Sequence, residues 1–177
     1  MTKEEYKLEK ARISYELFKS RKFFKKARAI VLKNNKLLAL KVTYQDTGIV
    51  HYLFPGGSVD DGETTKQAAI RETLEEFNIV VKVEKYLGNL YYSNPMEYKG
   101  ETFNSNRIDY YYICTYLKPG NQTTFGVDGE FDRPDRTYEH VELTINEIKK
   151  LTPSQLNDMD EKNFKKLIEY MEAKQKQ

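Results

Sequence analysis

The chain has 177 residues, of which 32% are charged and 39% hydrophobic, a length and composition suited to one ordinary domain with a substantial core. Its 29 Lys and Arg nearly cancel 27 Asp and Glu, leaving a formal net charge of +2. That balance argues against the concentrated basic face of a dedicated nucleic-acid binder, so no stable nucleic-acid partner is expected, although a small anionic ligand needs only a few local cations or a metal.

Cys114 stands alone and cannot form an intrachain disulfide, which favours a reducing compartment. His51 and His140 are far apart and have no cysteine partners, so they lack the pattern of a zinc site. No apolar stretch approaches the roughly 20 residues of a membrane span, and the N-terminus is too polar and acidic for a secretory signal. The expectation is a soluble, cytoplasmic protein without a membrane partner.

Residues 1–26 form a charged extension, and residues 27–177 read as a single domain. Within the extension, Ile13, Tyr15 and Leu17 alternate with polar residues as in a strand, while Ile13 and Leu17 would also share a helix face; both readings stay open. The basic cluster at 19–26 reads as a solvated face, with an acidic partner as the alternative. Apolar runs at 27–32 and 37–42 flank Lys33-Asn34-Asn35-Lys36, a hairpin pattern. A turn at 45–48 leads to a short strand at 49–54, broken by Pro55-Gly56-Gly57.

A helix follows, opened by Thr64 with Gln67 three residues on, the spacing of a capping box. Ile70, Thr73, Leu74 and Phe77 fall on one arc of this helix. Glu72, Glu75 and Glu76 share nearly the opposite arc, within about 100° of the circumference, and Ala68 lies on their side. Three anions near a helix C-terminal end repel one another and oppose the helix dipole. A divalent cation resolves that conflict, because hard ions such as Mg²⁺ take oxygen ligands and bridge carboxylates to phosphates. Glutamate triplets on exposed faces are common, and this one taken alone reads as a solvated face; the glycine loop, the glutamate and the arginine in the same uninterrupted segment change the weighing.

Beyond the helix, strands are expected at 79–86, around 90–92 and at 108–117, all rich in tyrosine and β-branched residues. Cys114 falls inside the last, as a buried and inert thiol. Residues 118–136 lack periodicity and read as a loop. A short strand at 138–143 leads to Thr144, a cap for a small helix. A final helix from about Glu161 places Phe164, Leu167, Ile168 and Met171 on one stripe. Strands before and after one central helix make a mixed α+β or α/β sandwich.

Gly57, five residues, Glu63, seven residues, then Arg71-Glu72-x-x-Glu75-Glu76-x-x-Ile79 resembles the Nudix box, G-x5-E-x7-R-E-U-x-E-E-x-G-U, with U aliphatic. The resemblance covers 23 residues, about an eighth of the chain, and Phe54-Pro55-Gly56 is similar to the usual entry to the box. Two positions depart from it. Thr73 replaces an aliphatic residue, but can pack its methyl and return its hydroxyl to the preceding turn. Asn78 replaces glycine just past the helix, where asparagine is the second choice for a left-handed residue.

The resemblance implies an α/β fold, an α/β/α sandwich around a mixed, partly open sheet. It also implies a pyrophosphohydrolase that uses Mg²⁺, with Mn²⁺ as substitute, on a small nucleotide-type substrate: a nucleoside diphosphate linked to another moiety, such as ADP-ribose or a nucleoside triphosphate. Glu72, Glu75, Glu76 and the Gly56 carbonyl would be metal ligands, one of these glutamates or an acid from a later loop would activate water, and Arg71 and Glu63 would brace helix and loop. A further acid from a late loop is expected at Glu139, with Asp132 next, among Asp128, Glu130 and Asp135. Tyr91, Tyr92, Tyr98 or Phe103 could stack on a base, and Arg107 and Lys41 could touch phosphate, although packing and solvated surface are the commoner uses of such residues. Many relatives pair as homodimers. The alternative function is a nucleotide-sensing module that binds without cutting.

Overall fold

The charged extension folds as a helix, α1 (Lys3–Lys19), opened by a capping box between Thr2 and Glu5. Its packed stripe is neither of the two patterns visible in the sequence. Ala11 and Ser14 are buried, Tyr15 meets Tyr98 and Phe103 at ring separations of 5.3 and 5.4 Å, and Phe18 meets Phe103 at 5.3 Å. Residues 11, 14, 15 and 18 lie on one helical face, but alanine, serine and tyrosine give that face little hydrophobic contrast. The computed structural model describes residues 2–126 and 133–177.

The hairpin forms as expected from strands β1 (Phe24–Lys33) and β2 (Lys36–Tyr44), with Lys33 opposite Lys36. Asn34 and Asn35 make the two-residue turn at φ 51° and 60°, the left-handed pair that matches strand twist and that asparagine tolerates. Beyond Leu38 the two strands diverge. β2 pairs instead with β3 (Val50–Leu53), while the first half of β1 pairs with β4 (Gly56–Ser58). This split brings the glycine loop into the middle of the sheet.

The helix α2 (Thr65–Phe77) carries the expected Thr64–Gln67 capping box, and Thr73 is fully buried with its hydroxyl donated to the Ala69 carbonyl at 2.6 Å. Two long strands follow, β5 (Ile79–Tyr98) and β6 (Glu101–Pro119), hydrogen-bonded along almost their whole length. The separate strands read at 79–86 and 90–92 are one element. Register shifts between Val80 and Val81, Val83 and Lys85, and Tyr86 and Gly88 break the two-residue period from which its continuity could have been recognised. β1 and β6 run parallel, and β7 (Arg136–Leu143) adds antiparallel to β2. The seven-stranded sheet is therefore mixed, with the path β3-β2-β1-β6-β5.

Alternation along β1 assigns the two faces. Ala27, Ala29 and Val31 pack with Ala68, Ala69 and Phe77 of α2, whereas Ile30 joins Tyr111 and Ile113 beneath the C-terminal helices. Those are α3 (Ile145–Ile148), capped by Thr144 as expected, and α4 (Glu161–Gln175), which buries Phe164, Leu167 and Met171. The result is the α/β/α sandwich. Cys114 is buried under α2, and burial pushes its thiol up to about 12, which makes it inert. Among the described residues no helix is long and apolar enough to cross a membrane.

Asn157, in a positive-φ turn after a 3₁₀ segment (Pro153–Gln155), ties the C-terminal layer to the glycine loop. Its backbone N–H donates to the Tyr52 carbonyl at 2.7 Å, and its side-chain oxygen accepts from Phe54 N–H at 2.9 Å. Phe54 therefore enters the loop from an anchored position.

Candidate active site

Gly56 and Gly57 run between β1 and α2 at backbone contact. A Cβ on Gly56 would lie 2.1 Å from the Ala27 carbonyl oxygen, and one on Gly57 would lie 2.4–2.6 Å from the Glu72 carboxylate. Backbone contact restricts position 56 to glycine, whereas any side chain at position 57 would push the Glu72 carboxylate aside. The loop and the acidic face of α2 thus meet without intervening side chains.

Arg71 is the hub. Its Nε and Nη2 donate to both oxygens of Glu63 at 2.9 and 3.0 Å, a bidentate pair, and Nη2 also donates to the Ser58 carbonyl at 2.9 Å. The opposite end, Nη1, reaches Glu72 at 2.8 Å and Glu75 at 3.1 Å. One guanidinium therefore joins the loop to two of the three clustered carboxylates. The guanidinium holds the Glu63 carboxyl below the usual carboxylate range, while burial pushes Glu72 above it against the pull of Arg71. Glu76 turns toward the loop and accepts from Gly56 N–H at 2.8 Å.

The expected residues Glu63, Arg71, Glu72, Glu75, Glu76 and Gly56 are thus brought together. Among the described residues, however, no three acidic, histidine or cysteine side chains are gathered closely enough to hold a metal ion as they stand. Arg71 occupies the space between Glu72 and Glu75 as the local counter-charge. The donor set still fits a hard divalent cation: it consists of carboxylates and a carbonyl, crowded on a small-residue cradle. The Gly56 carbonyl accepts from Arg28 Nη1 at 2.8 Å, which engages one of its two lone pairs.

Glu139 does not join this group. On β7, Tyr138 packs on the α2 side and the His140 ring meets Phe77 at 4.8 Å, so the alternate residues Glu139 and Val141 face the other way. Glu139 lies 3.6 Å from Lys41, its cross-strand neighbour, which accounts for Lys41 as well. Asp135 pairs with Arg136 at 2.7 Å. Asp128, Glu130 and Asp132 lie outside the described residues. Among the candidate stacking aromatics, Phe103 is buried under α1 and Tyr98 packs on Tyr15. Tyr91 meets Phe23 at 5.6 Å, and Tyr92 lines a cavity beside Glu76. Arg28 and Asp109 were not singled out in the sequence, although each interrupts an apolar strand run at an inward-facing position, which is the signal that marks them.

Asn78 takes the left-handed conformation at φ 51°, ψ 47° that its place in the box demands. It does more than stand in for glycine: its side chain donates to the Gln122 carbonyl at 3.2 Å and accepts from Gln122 N–H at 3.1 Å, fastening the segment that leaves β6. Asn78→Gly is therefore expected to destabilise the fold by about 1 kcal/mol in urea unfolding, in spite of the easier backbone. A stabilised variant would show that those two bonds contribute nothing.

Comparison with known proteins agrees with this fold. The NUDIX domain family matches residues 23–163. A NUDIX hydrolase from Nitrosomonas europaea superimposes with a TM-score of 0.55 at 16% identity, covering 86% of this chain and 91% of its own. A structure described as an ADP compounds hydrolase gives 0.56 at 16% identity, covering 85% and 74%. An ADP-ribose pyrophosphatase from Streptococcus suis gives 0.50 at 15% identity, covering 83% and 90%. At such identities these likenesses speak for the fold alone. No curated protein matches the chain.

Proposed function

The chain belongs to the NUDIX family and is a hydrolase of phosphoric anhydride bonds, and we propose that it is a divalent-metal-dependent pyrophosphohydrolase acting on a nucleoside diphosphate linked to another moiety. The observation that carries this reading is the Arg71 hub, which delivers Glu72 and Glu75 to the glycine cradle where Glu76 already binds the loop. Glu72, Glu75 and Glu76 would hold Mg²⁺, or Mn²⁺ in its place, with the Gly56 carbonyl as a further ligand. When bound, such an ion polarises a phosphoryl oxygen and lowers the pKa of an attacking water.

The rest of the work falls to the chain. Arg71 and Glu63 fix the carboxylates to the loop as positioning residues. One of the three carboxylates accepts the proton of the attacking water. The P–O bond of the anhydride breaks, giving a phosphomonoester and a second phosphorylated product or orthophosphate. A small nucleotide is the partner this site suits, and neither membrane nor nucleic acid is required.

The test is product formation from a panel of ADP-ribose, dinucleoside polyphosphates, nucleoside triphosphates including oxidised ones, nucleotide sugars and 5′-triphosphate RNA, with Mg²⁺, with Mn²⁺ and with chelator. Cleavage of one class that stops in chelator is the expected result. Ligand binding without any product under saturating Mg²⁺ would overturn it in favour of a sensing module.

A further inference from the structure

Strand register sets out the α2 face of the sheet in rows. Lys25, Ile108 and Tyr91 form one row across β1, β6 and β5; Ala27, Tyr110 and Asn89 form the next, and Ala29, Tyr112 and Tyr86 the third. The helix α2 lies over the alanines of β1, and the outer column on β5 leaves Tyr86 46% and Tyr91 53% exposed. Phe23, 41% exposed just before β1, meets Tyr91 at 5.6 Å with the rings 70° apart. Tyr86 meets Tyr112 at 5.5 Å and Tyr110 at 6.5 Å, tilted by 56° and 41°. None of these pairs is stacked face to face, so their ring faces are not spent on one another. Two hydroxyls hold the rings in place, Tyr112 against Thr65 at 2.6 Å and Tyr91 donating to Asn106 at 2.9 Å. A continuous exposed aromatic surface of this kind marks a binding face.

The border of this face at Phe23 is basic. Arg21, Lys22 and Lys25 are exposed, and among the described residues none of them forms an ion pair. They are what the fold leaves over from the basic cluster at 19–26. Lys19 pairs with Glu101 at 3.2 Å, and Lys26, next to Lys25 on β1, is half-buried and faces the opposite way. Lys66, exposed in the first turn of α2, lies close enough to Cys114 of β6 to act on it electrostatically, which brings a further cation to the rim. The formal net charge of +2 conceals this border, because its cations are balanced by carboxylates elsewhere on the chain.

We propose that this face is a docking surface for single-stranded RNA, with bases stacked on the exposed tyrosines and phosphates following the basic border. The inference does not rest on the hydrolase reading. The rows meet α2 at Thr65, its first residue, whereas the clustered carboxylates lie near its other end. Aromatic rings beside a line of cations are the two elements that hold a single strand, because every base has a π-face and every nucleotide a phosphate. An acidic peptide would be met by the border alone and would leave the rings unused. A duplex hides its base faces and could use only the cations. The rings are tyrosines, and Asn89 is exposed in the row between Tyr91 and Tyr86. Hydroxyls and an amide among the rings offer donors and acceptors to a 2′-hydroxyl, which favours RNA over DNA.

The experiment follows the fluorescence anisotropy of a labelled oligouridylate of about twelve nucleotides, in chelator, with the full chain and with a Tyr86→Leu, Tyr91→Leu variant. Both positions are exposed, so leucine keeps apolar bulk while removing the rings, and urea unfolding checks that the variant folds. The unmodified chain should bind the strand saturably and at least about tenfold more tightly than the variant does. The logarithm of the binding constant should fall against that of salt concentration with a slope of about −2, as for three phosphates neutralised on a single strand. The same strand paired with oligoadenylate, or replaced by oligothymidylate, should bind at least about threefold more weakly. Absence of saturable binding, or an affinity that the leucines leave unchanged, overturns the proposal. If polyglutamate displaces the strand while the leucines change nothing, the border belongs to an acidic protein partner instead. Equal affinity for the uridylate and thymidylate strands overturns the assignment to RNA.

Discussion

Glu76→Gln is expected to lower kcat by roughly 10²–10⁴-fold, the range for loss of a group that acts at the reacting atoms. Stability should stay near that of the unmodified chain. The glutamine carbonyl can still accept from Gly56 N–H, the contact Glu76 makes at 2.8 Å, so the loop keeps its anchor while the site loses a charge. Glu75→Gln should fall in the same range, since Glu75 is half exposed and contributes little to packing. Steady-state kinetics beside urea unfolding separates the two quantities. Turnover within a few-fold of the unmodified chain in both variants would show that these carboxylates are a solvated face after all.

The second large effect belongs to Arg71→Ala. The substitution strands the carboxylates of Glu63 and Glu72, only 14% and 13% exposed, without their shared cation. Breaking a buried pair costs about 3–5 kcal/mol; with Arg71 itself 29% exposed, solvent screening reduces the expectation to about 2–3 kcal/mol. Activity should fall about 100-fold as well, because carboxylates misplaced by an ångström no longer serve. Arg71→Lys should recover only part of either loss, since one ammonium cannot span the Glu63 fork and also reach Glu72 and Glu75. The pH dependence has a definite sign. Glu63 has a lowered pKa in the folded chain, so the stability it contributes is present above its ordinary value of 4.5 and is lost as pH falls through the folded value. The gap between Arg71→Ala and the unmodified chain should therefore narrow in acid. A gap independent of pH would place the effect outside the Glu63–Arg71 pair.

What could be read from the sequence was whatever depends on local spacing. The Thr64–Gln67 box, the acidic arc of α2, the back-bonded Thr73, the left-handed Asn78 and the Asn34-Asn35 turn all follow from positions within a few residues of one another. What stayed hidden depends on where strands lie relative to each other. The continuity of β5 was masked by its bulges, and α1 by a stripe of alanine, serine and tyrosine. Glu139 sits close to its strand start in sequence, yet the two-residue period turns it toward Lys41 and away from α2. Arg28, Arg107 and Asp109 meet only because β1 and β6 run parallel, which brings positions 28 and 109 together across 81 residues of chain.

Direct titration of Mn²⁺ followed by electron paramagnetic resonance, on the unmodified chain and on a Glu72→Gln, Glu75→Gln, Glu76→Gln triple variant, tests the assignment of these three carboxylates as the metal-binding centre. Saturable binding that Mg²⁺ displaces, weakened at least about tenfold in a triple variant that still folds, is the predicted result. Equal Mn²⁺ affinity in the two proteins would contradict it.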